Sequence, residues 1–183
     1  VARPLDRRPE LEAGARIVND VTALTADPAM LPLIVRTGVG VCAMHMQGTP
    51  QTMQEDPRYE NVVREVIDYL AARRDALQEA GVEHARICLD PGIGFGKTHL
   101  HNQMLMNHLW QFHELGCPLL VGHSRKGFLA KIIDDSQRDR TAATIGSALA
   151  LALQGVQVIR VHDVRHVRDA LQAFAACGGR HRH

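Results

Sequence analysis

The sequence predicts an α/β fold built on a parallel sheet, and three observations carry that expectation. Short apolar, strand-like runs recur along the chain, each run ends in a polar or glycine-bearing loop, and stretches with helical apolar spacing lie between them. That alternation is the pattern of a parallel sheet covered by helices. Its composition fits: 183 residues, 45% hydrophobic and 22% charged, can bury one sizeable core, so one domain over residues 1–183 is expected.

Taken in order, five strand–loop–helix units can be read. Ile17-Val18 leads into Asn19-Asp20, Val39 to Met44 into His45, Ile87 to Leu89 into Asp90, Leu119 to Val121 into Gly122, and Val156 to Val161 into His162. Every polar candidate follows a strand's carboxyl end, where α/β folds gather ligand groups. Val62, Val63, Val66, Ile67, Leu70 and Leu77 recur at helical spacing, and Gly81 sits near that helix's stop. The same logic predicts helices over 100–115, 141–154 and 164–176, the Ala-rich Thr141 to Gln154 serving as core or interface. The tail, 178–183, is expected to fray. Five units would complete a doubly wound sheet but form only part of an eight-stranded (β/α)8 barrel, which takes about 250 residues. The pattern alone leaves both open.

A net charge of +1 favours neither nucleic acid nor an anionic membrane as partner. No apolar run reaches membrane-spanning length, and Val1 to Glu10 is charged and proline-bearing, unlike a signal peptide. Cys42, Cys88, Cys117 and Cys177 form no CxxC pair and read as free buried thiols of a reducing compartment, so a cytoplasmic protein is expected. The missing initiator Met suggests that something upstream has been removed.

Asp90-Pro91-Gly92-Ile93-Gly94-Phe95-Gly96-Lys97 is the most informative run. It is not a phosphate-cradling P-loop, because Pro91 stands where that motif needs its first Gly, and Lys97 occupies the third glycine position of the dinucleotide fingerprint. What survives is an acid at a strand end, followed by glycines that let backbone and ligand approach closely. Asp90 could be only the cap of the following turn, but with the glycines after it a carboxylate there suits the amino-pyrimidine edge of a flat heterocycle, from which it accepts two parallel N–H bonds. Asn19 can donate and accept toward such a ring, although a turn or helix cap explains Asn19-Asp20 equally well.

Gly122-His123-Ser124-Arg125-Lys126-Gly127-Phe128 puts two adjacent cations directly after a buried strand. Lys126 would bond the carbonyl and ring nitrogen of a heterocycle and Ser124 a second substrate, while Arg125 supplies positive potential or braces the loop; a solvated loop is the competing reading. In Val158-Ile159-Arg160-Val161-His162-Asp163, alternation points Arg160 and His162 the same way, a paired anion site. The competing reading has Arg160 in an internal salt bridge and His162 as a helix cap. No protein-ligated metal is expected: His99 and His101 do not share a helix face, and His162 and His166 lack a third ligand. Met44-His45-Met46 reads as pocket wall and helix entry.

Asn19-Asp20, Met44-His45-Met46-Gln47-Gly48-Thr49-Pro50, the Asp90 to Lys97 run, Gly122-His123-Ser124-Arg125-Lys126 and Arg160-Val161-His162-Asp163 together resemble the dihydropteroate synthases in order and spacing, from about Gly14 to Ala176. The resemblance implies a (β/α)8 barrel, here its last five units, that joins 6-hydroxymethyl-7,8-dihydropterin diphosphate to 4-aminobenzoate, giving 7,8-dihydropteroate and diphosphate for folate synthesis. It implies a homodimer, Mg2+, and inhibition by sulfonamides. By position, Asn19, Asp90 and Lys126 would hold the pterin, Phe95, Ser124 and Arg125 the aminobenzoate side, and Arg160 and His162 the diphosphate, with Lys126, Arg160 and His162 as the catalytic set. Relative to the family pattern the first three strands are missing, with a magnesium-binding Asn, a Thr-Arg-Pro loop and a third-strand Asp, so the expectation is a cropped chain holding no metal ligand. Two other readings compete: the pterin-binding domain of a folate-dependent methyltransferase, against which the Ser124-Arg125-Lys126 and Arg160-Val161-His162 motifs argue, and a pterin-binding remnant without turnover.

Overall fold

The computed structural model describes residues 11–135 and 137–179; the expectations for Val1 to Glu10 and for 180–183 of the tail lie outside the described residues. The strands are β1 (Ile17–Asp20), β2 (Gly40–Met44), β3 (Ile87–Asp90), β4 (Leu120–Val121) and β5 (Val158–Ile159). The α-helices are α1 (Met30–Thr37), α2 (Val62–Glu79), α3 (His99–Asn107), α4 (Gly127–Ile132), α5 (Thr141–Leu153) and α6 (Val164–Ala176).

All pairings among the described residues are parallel. β2 pairs with β1 through Ile17–Gly40 to Asp20–Ala43 and with β3 through Val41–Ile87 to Met44–Asp90, and β4 pairs with β5. A bridge from Leu89 to Leu119, with Leu89 N–H donating to Pro118 O at 2.9 Å, carries the ladder from β3 to β4. Strands therefore neighbour one another in chain order, without the reversal that defines a doubly wound sheet. This settles the ambiguity of the pattern in favour of a partial barrel.

Alternation sorts the strand residues into two faces. Val18, Val41, Ala43, Ile87, Leu89, Leu119 and Val121 join Val62, Val66, Ile67, Leu70 and Leu77 of α2 in the core under the helices. Asn19, Cys42, Met44, Cys88 and Asp90 take the opposite face. On the outermost strands of the described sheet that face is open: Ile17 is 65% and Val158 44% exposed.

Helix α2 begins where the sequence dictates. Asn61 accepts from Arg64 N–H at 3.1 Å, and Glu65 reaches back to Asn61 N–H at 2.8 Å, a reciprocal cap. The helix expected over 100–115 instead splits into α3 and a 3₁₀ segment, Leu109–Leu115. There Leu109, Phe112 and Leu115 are buried at intervals of three, matching a 3₁₀ turn, and the His108 ring takes the Met104 carbonyl at 2.7 Å at the break. α1 and α4 go beyond the helices read from the sequence. No helix of the described residues is long and apolar enough to cross a membrane.

Candidate functional site

The site is built at the carboxyl ends of β3, β4 and β5. Asp90, the last residue of β3, is 2% exposed. Its Oδ1 accepts the Gly92 N–H at 2.7 Å, and Oδ2 has no protein donor among the described residues. Burial pushes the carboxyl upward, against the Gly92 N–H and the nearby charges of Lys126, Arg160 and Lys97. Gly92 cannot be replaced without rearrangement: its φ is +69°, and an added Cβ would run into the His45 carbonyl.

Lys126 follows β4 and precedes α4. Its ammonium donates to the Ile93 carbonyl and sits 4.6 Å from the centroid of the Phe95 ring. Burial, then the Arg160 charge, lowers it to about 8, against the pull of Asp90. Arg160, just past β5, lies over Gly122, where a Cβ would stand 2.6 Å from its Nη2. No carboxylate pairs with it among the described residues, so these give no support to an internal salt bridge.

His162 bonds Ser124 Oγ through Nδ1 at 2.9 Å, and its N–H donates to the same oxygen at 3.3 Å. Ser124 is buried, so the β4 and β5 loops are tied through it. The cap of α6 is Asp163, which accepts the His166 N–H at 3.2 Å; His162 is not the cap. Arg125 is exposed, with φ +57°, its N–H donating to Thr144 Oγ1 at 3.2 Å and its carbonyl accepting from Arg140 at 2.9 Å.

Asn19 ends up exposed on β1, two strands from Asp90, whereas its neighbour Asp20 forms a turn: Oδ2 accepts from Thr22 Oγ1 at 2.5 Å and Leu24 N–H at 2.8 Å. Asp20 therefore follows the turn reading and Asn19 keeps its amide for other partners. All four cysteines are free; Cys42 and Cys117 are buried and Cys88 partly so, but Cys177, in the exposed turn after α6, departs from the buried expectation.

Sequence reasoning missed the pair beneath the glycine loop. Lys97 is 2% exposed, with Nζ 2.9 Å from both His45 Nδ1 and Phe95 O. Burial lowers Lys97 to about 7 and His45 to about 3. The only available signal was a lysine closing a glycine run directly before the Thr98 cap.

The described residues do not fit a protein-held magnesium ion. No group of three or more His, Cys, Asp or Glu side chains is placed to hold a metal, and Asp90 faces cations instead.

The model of a family described as pterin binding enzyme matches residues 8–162. The dihydropteroate synthase of Escherichia coli K12 is 38% identical over 175 residues, 96% of this chain and 62% of that protein. A crystal structure of the Yersinia pestis dihydropteroate synthase with a sulfonamide drug complex superposes with a TM-score of 0.86 at 36% identity, over 92% of this chain and 61% of that one. The Xanthomonas albilineans dihydropteroate synthase in complex with 7,8-dihydropteroate gives 0.85 at 36% identity, over 93% and 64%. The chain thus spans about three fifths of the length of these relatives.

Proposed function

The chain belongs to the pterin binding enzyme family, and from that premise we propose that it carries the substrate sites of a dihydropteroate synthase, condensing 6-hydroxymethyl-7,8-dihydropterin diphosphate with 4-aminobenzoate. The single observation that carries this reading is the buried Asp90 with an unspent carboxylate oxygen beside Lys126 and Arg160. Such a carboxylate accepts two N–H bonds from an amino-pyrimidine edge, and Lys126 donates to the ring's carbonyl side. Asn19 completes the pterin contacts in this reading.

The pterin methylene carbon loses diphosphate, and the aromatic amine attacks that carbon. No strong base is required. Arg160 and His162 take the charge that grows on the leaving diphosphate, while Phe95, Ser124 and Arg125 line the aminobenzoate side, where a sulfonamide would compete. Arg160, exposed and without a carboxylate partner among the described residues, favours this over methyl transfer, which has no diphosphate to hold. A homodimer and a cytoplasmic location complete the proposal, the latter supported by the four free thiols.

The test is dihydropteroate formation by the chain and by Lys126→Ala, with free diphosphate as competitor. Turnover lost in the variant and slowed by diphosphate is expected. Turnover equal in both would remove Lys126 from the site; binding without turnover would leave a pterin-binding remnant.

A further inference from the structure

We infer that Lys97, acting with His45, is a positioning residue that fixes the Phe95 carbonyl and thereby sets the Phe95 ring against Lys126; the inference rests on the site reading just proposed and deepens its aminobenzoate half.

The buried Lys97 amine meets protein atoms: Phe95 O and His45 Nδ1, each at 2.9 Å. Phe95 O has no other partner among the described residues. An apolar side chain of similar length would fill the same space without the cost of burying an amine. What the amine adds is a bond to the one carbonyl of this loop, Phe95 O, that takes no other partner among the described residues.

His45 is itself held. The residue is 6% exposed, and its ring packs edge-on against Tyr69, centroids 4.8 Å apart. Its N–H donates to the Asp90 carbonyl at 3.0 Å. One residue at the end of β2 is thus a common reference for Asp90, through its backbone, and for Phe95, through its ring and Lys97. The rest of the loop is bonded from other directions: Tyr59 OH donates to Gly96 O at 2.7 Å, Gln54 to Gly94 O at 2.9 Å, and Gly94 N–H donates to Asn102 at 2.6 Å. Among the described residues only Lys97 holds the Phe95 carbonyl, so its loss should free that peptide while Asp90 stays in place.

The experiment compares the chain with Lys97→Met and with His45→Phe, which keeps a ring but removes the Nδ1 acceptor. Two readouts are taken: amide hydrogen exchange in the unliganded protein, and dissociation constants for 4-aminobenzoate and for pterin diphosphate. Exchange at Phe95, whose N–H donates to Gly92 O at 3.1 Å, should quicken about tenfold in Lys97→Met, and less in His45→Phe, with Gly94, held by Asn102, and the α2 amides unchanged. Aminobenzoate affinity should fall about tenfold and pterin diphosphate affinity less than about threefold. Unchanged loop exchange in both variants, or equal losses for the two ligands, would overturn the inference. If the unsubstituted chain binds neither ligand, the proposed function fails, while the exchange data still decide whether Lys97 holds the loop. If Lys97→Met does not fold, His45→Phe carries the same two outcomes.

Discussion

Two lysines at the site, both lowered by burial, lose their charge as pH rises, one read in stability and the other in ligand affinity. Lys97 falls from its ordinary 10.5 to about 7 because it is buried. Between those values the unfolded chain holds a proton that the folded chain has released, so this contribution to stability grows as pH rises and is lost as pH falls through about 7. The neutral amine still has two N–H groups for its two acceptors, Phe95 O and His45 Nδ1. Denaturant midpoints should therefore rise in the unsubstituted chain relative to Lys97→Met between about pH 7 and 9.5; a constant difference would contradict the assignment. Lys126 loses its charge as pH rises through about 8, so pterin diphosphate affinity should decline above that point, and a flat profile would count against its role. Asp90, Lys126 and Arg160 were legible because each follows a strand run and stands beside glycine or a second polar group. Lys97 and His45 were not, since their contact joins residues 52 apart in sequence and exists only after β2 and β3 pair.

The elements follow local rules where those rules are strong. α2 has a reciprocal cap and an apolar stripe, and both were readable as spacing. Asn61→Ala should cost about 1 kcal/mol. Leu70→Ala, at a fully buried position of the same helix, should cost about 2–5 kcal/mol, and thermal or denaturant unfolding checks both. Comparable small losses at both positions would mean that α2 is not packed as described. Shorter elements escaped: α1 has 8 residues with Pro32 in its first turn, and α4 has 6 residues after a loop read only for chemistry. The break at His108 also escaped, because a run with apolar residues every third or fourth position fits either an α-helix or a 3₁₀ turn.

At the scale of the molecule, five units and their order were written in the strand–loop–helix alternation, but the closure of the sheet was not. Periodicity reports which residues face a core; it does not report which strands become neighbours. The chain-order ladder decides for a partial barrel and gathers Asp90, Lys126, Arg160 and His162 at one end of it. The apolar Ile17 and Val158 stay open on its inner face. That end of the sheet is the pterin diphosphate site proposed above, centred on Asp90. Its most direct measurement is calorimetric titration of pterin diphosphate into the chain and into Asp90→Ala, Lys126→Ala and Arg160→Ala. Loss of one charged hydrogen bond is worth about 1.5–3 kcal/mol, so Asp90→Ala and Lys126→Ala should each weaken binding about 10- to 150-fold. Arg160→Ala should weaken the diphosphate ester while sparing the free pterin alcohol. Affinities unchanged in all three variants would contradict the site.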